Sequence, residues 1–236
     1  MSNKSIVVTG ASKGIGRAIA LQFAKHGFNV AVCARNQADL DNLKAELQAI
    51  SPNSKILALG CDVRQKDEVL AFAKQVTDNF GTVDVLVNNA GIFLPGEVHS
   101  EPEGTLEQLI ETNLYSAYHI TRALIGDMKA RKSGSIFNVS SVAGVQAYHN
   151  GGSYSISKFA MQGFSKALRE ELKPHNIKVT TLVPGATLTN SWAGSGLPDE
   201  RFMKAEDIAQ AVWDVYNLSP NTVVEEITLR PVLGDI

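Results

Sequence analysis

Seven short apolar runs, each followed by a longer stretch of helical period, leave this chain few folds to choose from. The runs are Ser5–Thr9, Asn29–Ala34, Lys55–Leu59, Asp84–Val87, Ser135–Val139, Lys178–Val183 and Glu226–Leu229. Most are apolar at consecutive positions, so both faces of each strand need cover, which is the pattern of a parallel sheet between helices. Helical periodicity over residues 14–26, 37–50, 65–80, 104–132, 154–173 and 205–217 supplies that cover. The alternation predicts an α/β fold, a doubly wound parallel sheet of seven strands with helices on both faces. Residues 104–132 exceed a usual helix, so two helices or one bent helix are expected there. With no linker, repeat or low-complexity segment, the whole of 1–236 is expected to be one domain. The stretch around 190–203, with Gly194, Gly196 and Pro198 and no sustained period, is the expected substrate lid.

Composition removes several function classes. A net charge of −2 and an isoelectric point near 6.2 give no footprint for nucleic-acid binding. No apolar run approaches the ~20 residues that span a bilayer, and Met1–Lys4 leads straight into a strand, so neither membrane nor signal peptide is expected and the location is read as cytoplasmic. Cys33 and Cys61 end two expected strands and read as small apolar filler rather than a disulfide. His26, His99, His119, His149 and His175 lack ligand spacing, so no metal is expected.

The first strand runs into Thr9-Gly10-Ala11-Ser12-Lys13-Gly14-Ile15-Gly16, which opens the first helix. Small residues there let the backbone approach a pyrophosphate whose charge the helix N-terminus favours. A plain tight turn is the other reading of the same glycines. The second strand ends at Ala34-Arg35, where NAD-binding versions of this arrangement place a carboxylate for the ribose 2′-hydroxyl. A neutral residue, then Arg35, with Lys13 inside the turn, suits a 2′-phosphate and points to NADP(H). Arg35 pointing to water is the bland alternative. Asp62, in Cys61-Asp62-Val63, is placed either to accept from an adenine amino group or to cap the next helix. Asn88-Asn89-Ala90-Gly91 closes the fourth strand, as a surface for the adenine ribose or as ties between strands.

Tyr154 and Lys158 lie one helical turn apart and share a face. An ammonium beside a phenol is expected to lower the tyrosine pKa from about 10 and to make it a general acid or base. Ser141 lies thirteen residues before Tyr154.

Taken in this order, the glycine turn, Asn-Asn-Ala-Gly, Ser141, Tyr154 and Lys158 make the chain closely resemble the short-chain dehydrogenase/reductase family from Ser5 to about Pro231. The resemblance implies a single Rossmann-type domain, nicotinamide hydride chemistry and a homodimer or homotetramer. It makes Tyr154 the proton donor to a carbonyl oxygen in reduction, or the base in alcohol oxidation. Ser141 would bind the same oxygen, with Ser140 as the alternative if the strand register differs. Lys158 would lower the Tyr154 pKa and bind the nicotinamide ribose. Asn113, in Glu111-Thr112-Asn113-Leu114, matches the asparagine that supports a proton relay, or else is an ordinary interior helix residue. Pro184, Gly185, Thr187 and Thr189 match the segment that contacts the nicotinamide carboxamide and diphosphate. Within the glycine turn, Gly10, Ser12, Lys13, Gly14, Ile15 and Gly16 would hold the cofactor, together with Arg35, Asp62, Val63, Asn89, Ala90 and Gly91.

Phe93, Leu94, Val145, Tyr148 and Trp192 are the expected pocket walls, partly apolar and suited to a small ketone, aldehyde, alcohol or acyl chain, with His149 nearby. The general look is similar to 3-oxoacyl-[acyl-carrier-protein] reductases, whose basic carrier-binding positions correspond to Lys132 and His175. The histidine weakens that match, so a carrier-protein substrate is an alternative to a free carbonyl compound. A non-catalytic NADPH-binding regulator is disfavoured because the tyrosine and lysine are both present.

Overall fold

A computed structural model describes residues 3–189, 192 and 196–236. Strands β1 (Ser5–Thr9), β2 (Asn29–Ala34), β3 (Ile56–Gly60), β4 (Val85–Asn88), β5 (Gly134–Val139), β6 (Ile177–Pro184) and β7 (Glu226–Leu229) form one sheet, in the order β3-β2-β1-β4-β5-β6-β7. Every neighbouring pair is parallel. Side chains alternate between faces, as the strand period of two requires. Ile6, Val8, Val30 and Val32 pack with α1 (Gly14–Lys25), α2 (Gln37–Ile50) and α7 (Ala205–Tyr216). Val7, Ala31 and Leu86 pack on the other face with α3 (Lys66–Phe80) and α5 (Ser116–Arg131).

The expected burial on both faces holds for β1, β2 and β4, every residue of which is buried. It fails at the two edges: in β3 only Ala58 is buried, and in β7 alternate residues are exposed. Cys33 and Cys61 are free, buried and part of one core cluster. The 104–132 stretch is one rod with an interruption: α4 (Thr105–Ile110) passes through a π-helical turn (Glu111–Tyr115) into α5. The helix that carries Tyr154 and Lys158, α6, spans Gly152–Leu172. The expected lid falls partly on 190–191 and 193–195, which lie outside the described residues; Trp192 packs against Phe202 with ring centroids 5.2 Å apart and planes tilted by 52°. Among the described residues no helix is long and apolar enough to cross a membrane.

Strand order places the site. From β1 the chain winds outward through β2 to β3, and from β4 it winds the other way, so connections diverge beyond the carboxyl ends of β1 and β4. A crevice opens at such a point, and ligands of doubly wound sheets bind there.

Candidate active site

A cavity of about 1050 Å³ fills that crevice. On one side it is lined by Gly10, Ser12, Lys13, Gly14 and Ile15, then Arg35, Asp62, Val63, Asn89, Ala90 and Gly91. Ser141, Tyr154 and Lys158 line the middle, and Pro184, Gly185, Thr187 and Thr189 the far wall. Two expected site residues stand behind the lining, Gly16 and Asn113.

The glycine turn is shaped by close approach. Gly10 has φ +65°, and a Cβ there would stand 2.7 Å from the Ala90 Cα. A Cβ on Gly16 would meet Asn89 Nδ2 at 2.3 Å, so this glycine packs α1 against the end of β4. Asn89 Nδ2 donates to Thr9 O and Gly10 O, both at 2.9 Å. Asn88 Nδ2 donates to Asn138 Oδ1 at 2.7 Å and Thr121 Oγ1 at 3.0 Å. Both asparagine side chains therefore tie strands and helices together. Helix α1 starts with no side-chain cap and no acidic residue in its first turn. Its opening N–H groups and positive dipole end face the cavity, which suits a diphosphate. The methyl of Thr189 lies where a Gly14 Cβ would be 3.0 Å away, so the segment after β6 reaches across to the turn.

The expected 2′-phosphate end holds an anion, Asp39, beside its two cations Lys13 and Arg35. Lys13 Nζ pairs with Asp39 Oδ2 at 3.0 Å. Arg35 is exposed and makes no ion pair among the described residues. The Arg64 guanidinium grips the Asp62 carboxylate at 2.6 Å and holds it below the usual carboxylate range. Asp62 does not cap α3, since Gln65 occupies that position without a side-chain cap bond.

Tyr154 and Lys158 do share one face of α6, but the expected electrostatics do not hold. Burial pushes the Tyr154 phenol up to about 12, opposed by a hydrogen bond with Ser141 and reinforced by Tyr148. Burial likewise pushes Lys158 down to about 8. Its Nζ donates to Val139 O at 3.0 Å and sits 5.7 Å from the Tyr154 ring centroid. Desolvation of the phenol is the dominant effect on the Tyr154 pKa here. Ser141 and Ser140 separate cleanly: Ser140 Oγ donates to the Lys158 carbonyl at 3.1 Å, while Ser141 Oγ accepts from Ala143 N at 3.2 Å and meets the phenol.

Asn113 is fully buried inside the π-helical turn. Its Oδ1 accepts from Ile92 N at 2.8 Å; its Nδ2 donates to Ile92 O at 3.0 Å and Ser157 Oγ at 2.9 Å. Every polar atom of the amide is engaged, so the side chain clamps the chain after β4 to α6.

Of the expected walls, Phe93, Tyr148 and Trp192 line the cavity; Leu94 and Val145 do not. Leu94 is partly buried outside the lining, and Val145, after a short 3-10 turn (Val142–Gly144), is exposed. Phe93 meets Tyr154 edge to face at 4.9 Å. Gln108, Gln146, Asn150, Arg230 and Asp235 also line the space, which is more polar than the sequence suggested. His149 is outside the lining and pairs with Glu97 at 3.4 Å. Lys132 and His175 precede β5 and β6 at the opposite end of the sheet from the cavity.

Sequence reasoning missed Glu101. Ser153 N donates to Glu101 Oε2 at 3.4 Å and Ser153 Oγ donates to the same carboxylate. This is the N-terminal cap of α6, which its own Gly151 cannot supply. Gly96 bridges to Gly151 beside it, so the loop carrying Phe93 is clasped to the start of the helix carrying Tyr154. Arg230 and Asp235, ion-paired near Gly185, were also missed, because their approach depends on how the chain turns after β7.

Comparison with known proteins fits this architecture. The family profile described as short chain dehydrogenase matches residues 4–197. The chain belongs to the short-chain dehydrogenase family. Among members of that family, it is 34% identical to a sepiapterin reductase of Chlorobaculum tepidum, over 98% of this chain and 97% of that protein. It is 35% identical to a 3-oxoacyl-[acyl-carrier-protein] reductase of Chlamydia muridarum, over 89% of this chain and 88% of that one. An alcohol dehydrogenase structure from the archaeon Thermococcus sibiricus, complexed with 5-hydroxy-NADP, superposes with a TM-score of 0.92 at 30% identity, covering 100% and 99% of the two chains. This short-chain dehydrogenase is accordingly an oxidoreductase acting on a small substrate.

Proposed function

We propose that the protein is an NADP(H)-dependent carbonyl reductase, interconverting a small carbonyl compound and its secondary alcohol. One observation carries the reading: Tyr154, Ser141 and Lys158 line the same cavity as an uncapped, acid-free helix N-terminus and Arg35. The alcohol dehydrogenase that superposes on this chain carries an NADP derivative, which supports the same cofactor.

The residues fit the dinucleotide and divide the work. Gly10–Ile15 would hold the diphosphate, Arg35 the 2′-phosphate, and Pro184–Thr189 the nicotinamide end. NADPH, when bound, supplies the hydride to the carbonyl carbon. Ser141 holds the carbonyl oxygen, and Tyr154, protonated at neutral pH with its pKa near 12, gives that oxygen its proton. Lys158, near 8, can bind ribose hydroxyls and return a proton towards the phenol close to neutral pH. Asn113 would serve a relay through its backbone carbonyl only, because its amide is fully engaged. Leu106, Tyr115 and Tyr118 on the α4–α5 rod and Ile156 and Phe159 on α6 are exposed large hydrophobics, and we assign them to a homodimer or homotetramer contact.

The test is a panel of ketones and aldehydes with purified protein and NADPH, followed by loss of nicotinamide absorbance. Carbonyl-dependent oxidation of NADPH is expected; NADPH binding without turnover on any member of a broad panel would favour a regulator instead.

A further inference from the structure

We propose that Asp39 sets how strongly the site discriminates between phosphorylated and unphosphorylated dinucleotide, by holding Lys13 in an ion pair that a 2′-phosphate must displace. This rests on the reading that the cavity takes NADP(H).

Lys13, Arg35, Asn36 and Asp39 together line the end of the cavity beyond the carboxyl end of β2. Asp39 sits in the first turn of α2, and its own N–H donates to the Asn36 side chain at 3.2 Å, which fixes the turn. Its carboxylate oxygen stands 3.0 Å from Lys13 Nζ. The local balance is therefore two cations and one anion rather than two cations. A 2′-phosphate brings about −1.5 to −2 charges.

An exposed ion pair of this kind is worth at most about 1 kcal/mol, so a phosphate can take Lys13 from Asp39. The carboxylate then loses its partner and faces a dianion at close range. Its repulsion acts only on the phosphorylated cofactor, because the unphosphorylated one leaves Lys13 and Asp39 undisturbed. Asp39 thus subtracts from NADPH affinity selectively, and Arg35 carries most of the recognition. The carboxylate's favourable position at the α2 N-terminus explains how it is tolerated there.

Replacing Asp39 by Asn keeps size, helix-start preference and hydrogen bonding while removing the charge. Dissociation constants for NADPH and NADH would be measured by fluorescence titration on wild type, Asp39→Asn, Lys13→Ala, the double variant and Arg35→Ala. Asp39→Asn should tighten NADPH roughly fivefold to tenfold and leave NADH within about threefold. The gain should be reduced in the Lys13→Ala background. A wild type that prefers NADPH, together with an Asp39→Asn ratio that does not move or that moves equally for both cofactors, overturns the proposal alone. A wild type that binds NADH as tightly as NADPH, with Arg35→Ala weakening both alike, overturns the cofactor reading itself.

Discussion

Replacing Lys158 by Met should make the dinucleotide-free protein more stable at pH 7 while removing a group the reaction needs. Lys158 is 4% exposed, and burial lowers its pKa from 10.5 to about 8. Below pH 8 the lysine is charged in both folded and unfolded chains, so the folded state bears the full desolvation cost, on the order of 3 kcal/mol. Between pH 8 and 10.5 the folded lysine sheds its proton while the unfolded one keeps it, so wild-type stability rises with pH across that window. Above 10.5 the cost is gone. Methionine has similar length and no charge, but loses the 3.0 Å bond to Val139 O, worth about 1–2 kcal/mol. The net gain at pH 7 is then about 1–2 kcal/mol, or about 2–8 °C in Tm for a domain of this size. Thermal unfolding of both proteins across pH 7 to 10.5 measures it. The Tm difference should shrink and then reverse towards high pH. A methionine variant less stable than wild type at pH 7, by a margin that does not change with pH, would refute the argument.

Other outcomes follow from the same geometry. Glu101→Ala should cost about 1 kcal/mol through the lost α6 cap and raise KM for the carbonyl substrate more than it lowers kcat, because the Phe93 wall loosens; Glu101→Gln should restore both, and an unchanged KM in the alanine variant would exclude the clasp. The pH profile of carbonyl reduction should fall above about 8 as Lys158 loses its proton, since Tyr154 stays protonated far beyond that; a profile flat to pH 10 would remove Lys158 from proton return. Light scattering at micromolar concentration should report a dimer or tetramer, and Phe159→Glu should drive it towards monomer; a monomeric wild type would contradict the assigned contact.

Much of the fold was legible because its causes are local. β1, β2 and β7 have the bounds their apolar runs suggested, and β3 begins one residue late at an exposed edge where the pattern is weakest. Tyr154 and Lys158 share a face because helical pitch dictates it, and Ser141 meets the phenol through strand geometry. What was not legible arises from contacts distant in the chain. The start of α6 moved to Gly152 because Glu101, from a loop 52 residues before Ser153, supplies its cap. The π-helical turn at Glu111–Tyr115 leaves no mark in hydrophobic period, yet it is what turns Asn113 towards Ile92 and Ser157. Lys13 reads as a free cation in the turn, and only the packing of α2 beside it shows that Asp39 neutralises it. The Tyr154 pKa reversed for the same reason: spacing reports that a lysine is near, while burial and the Val139 carbonyl decide what its charge is worth.

The central claim is that the Tyr154 hydroxyl gives up its proton to the substrate oxygen. Tyr154→Phe removes that oxygen and leaves the ring beside Phe93. Single-turnover oxidation of bound NADPH by a carbonyl substrate, measured beside NADPH titration on the same variant, tests it most directly. NADPH affinity should stay within about threefold and the turnover rate should fall about 100- to 10,000-fold; a rate within tenfold of wild type, with NADPH bound as tightly, would contradict it.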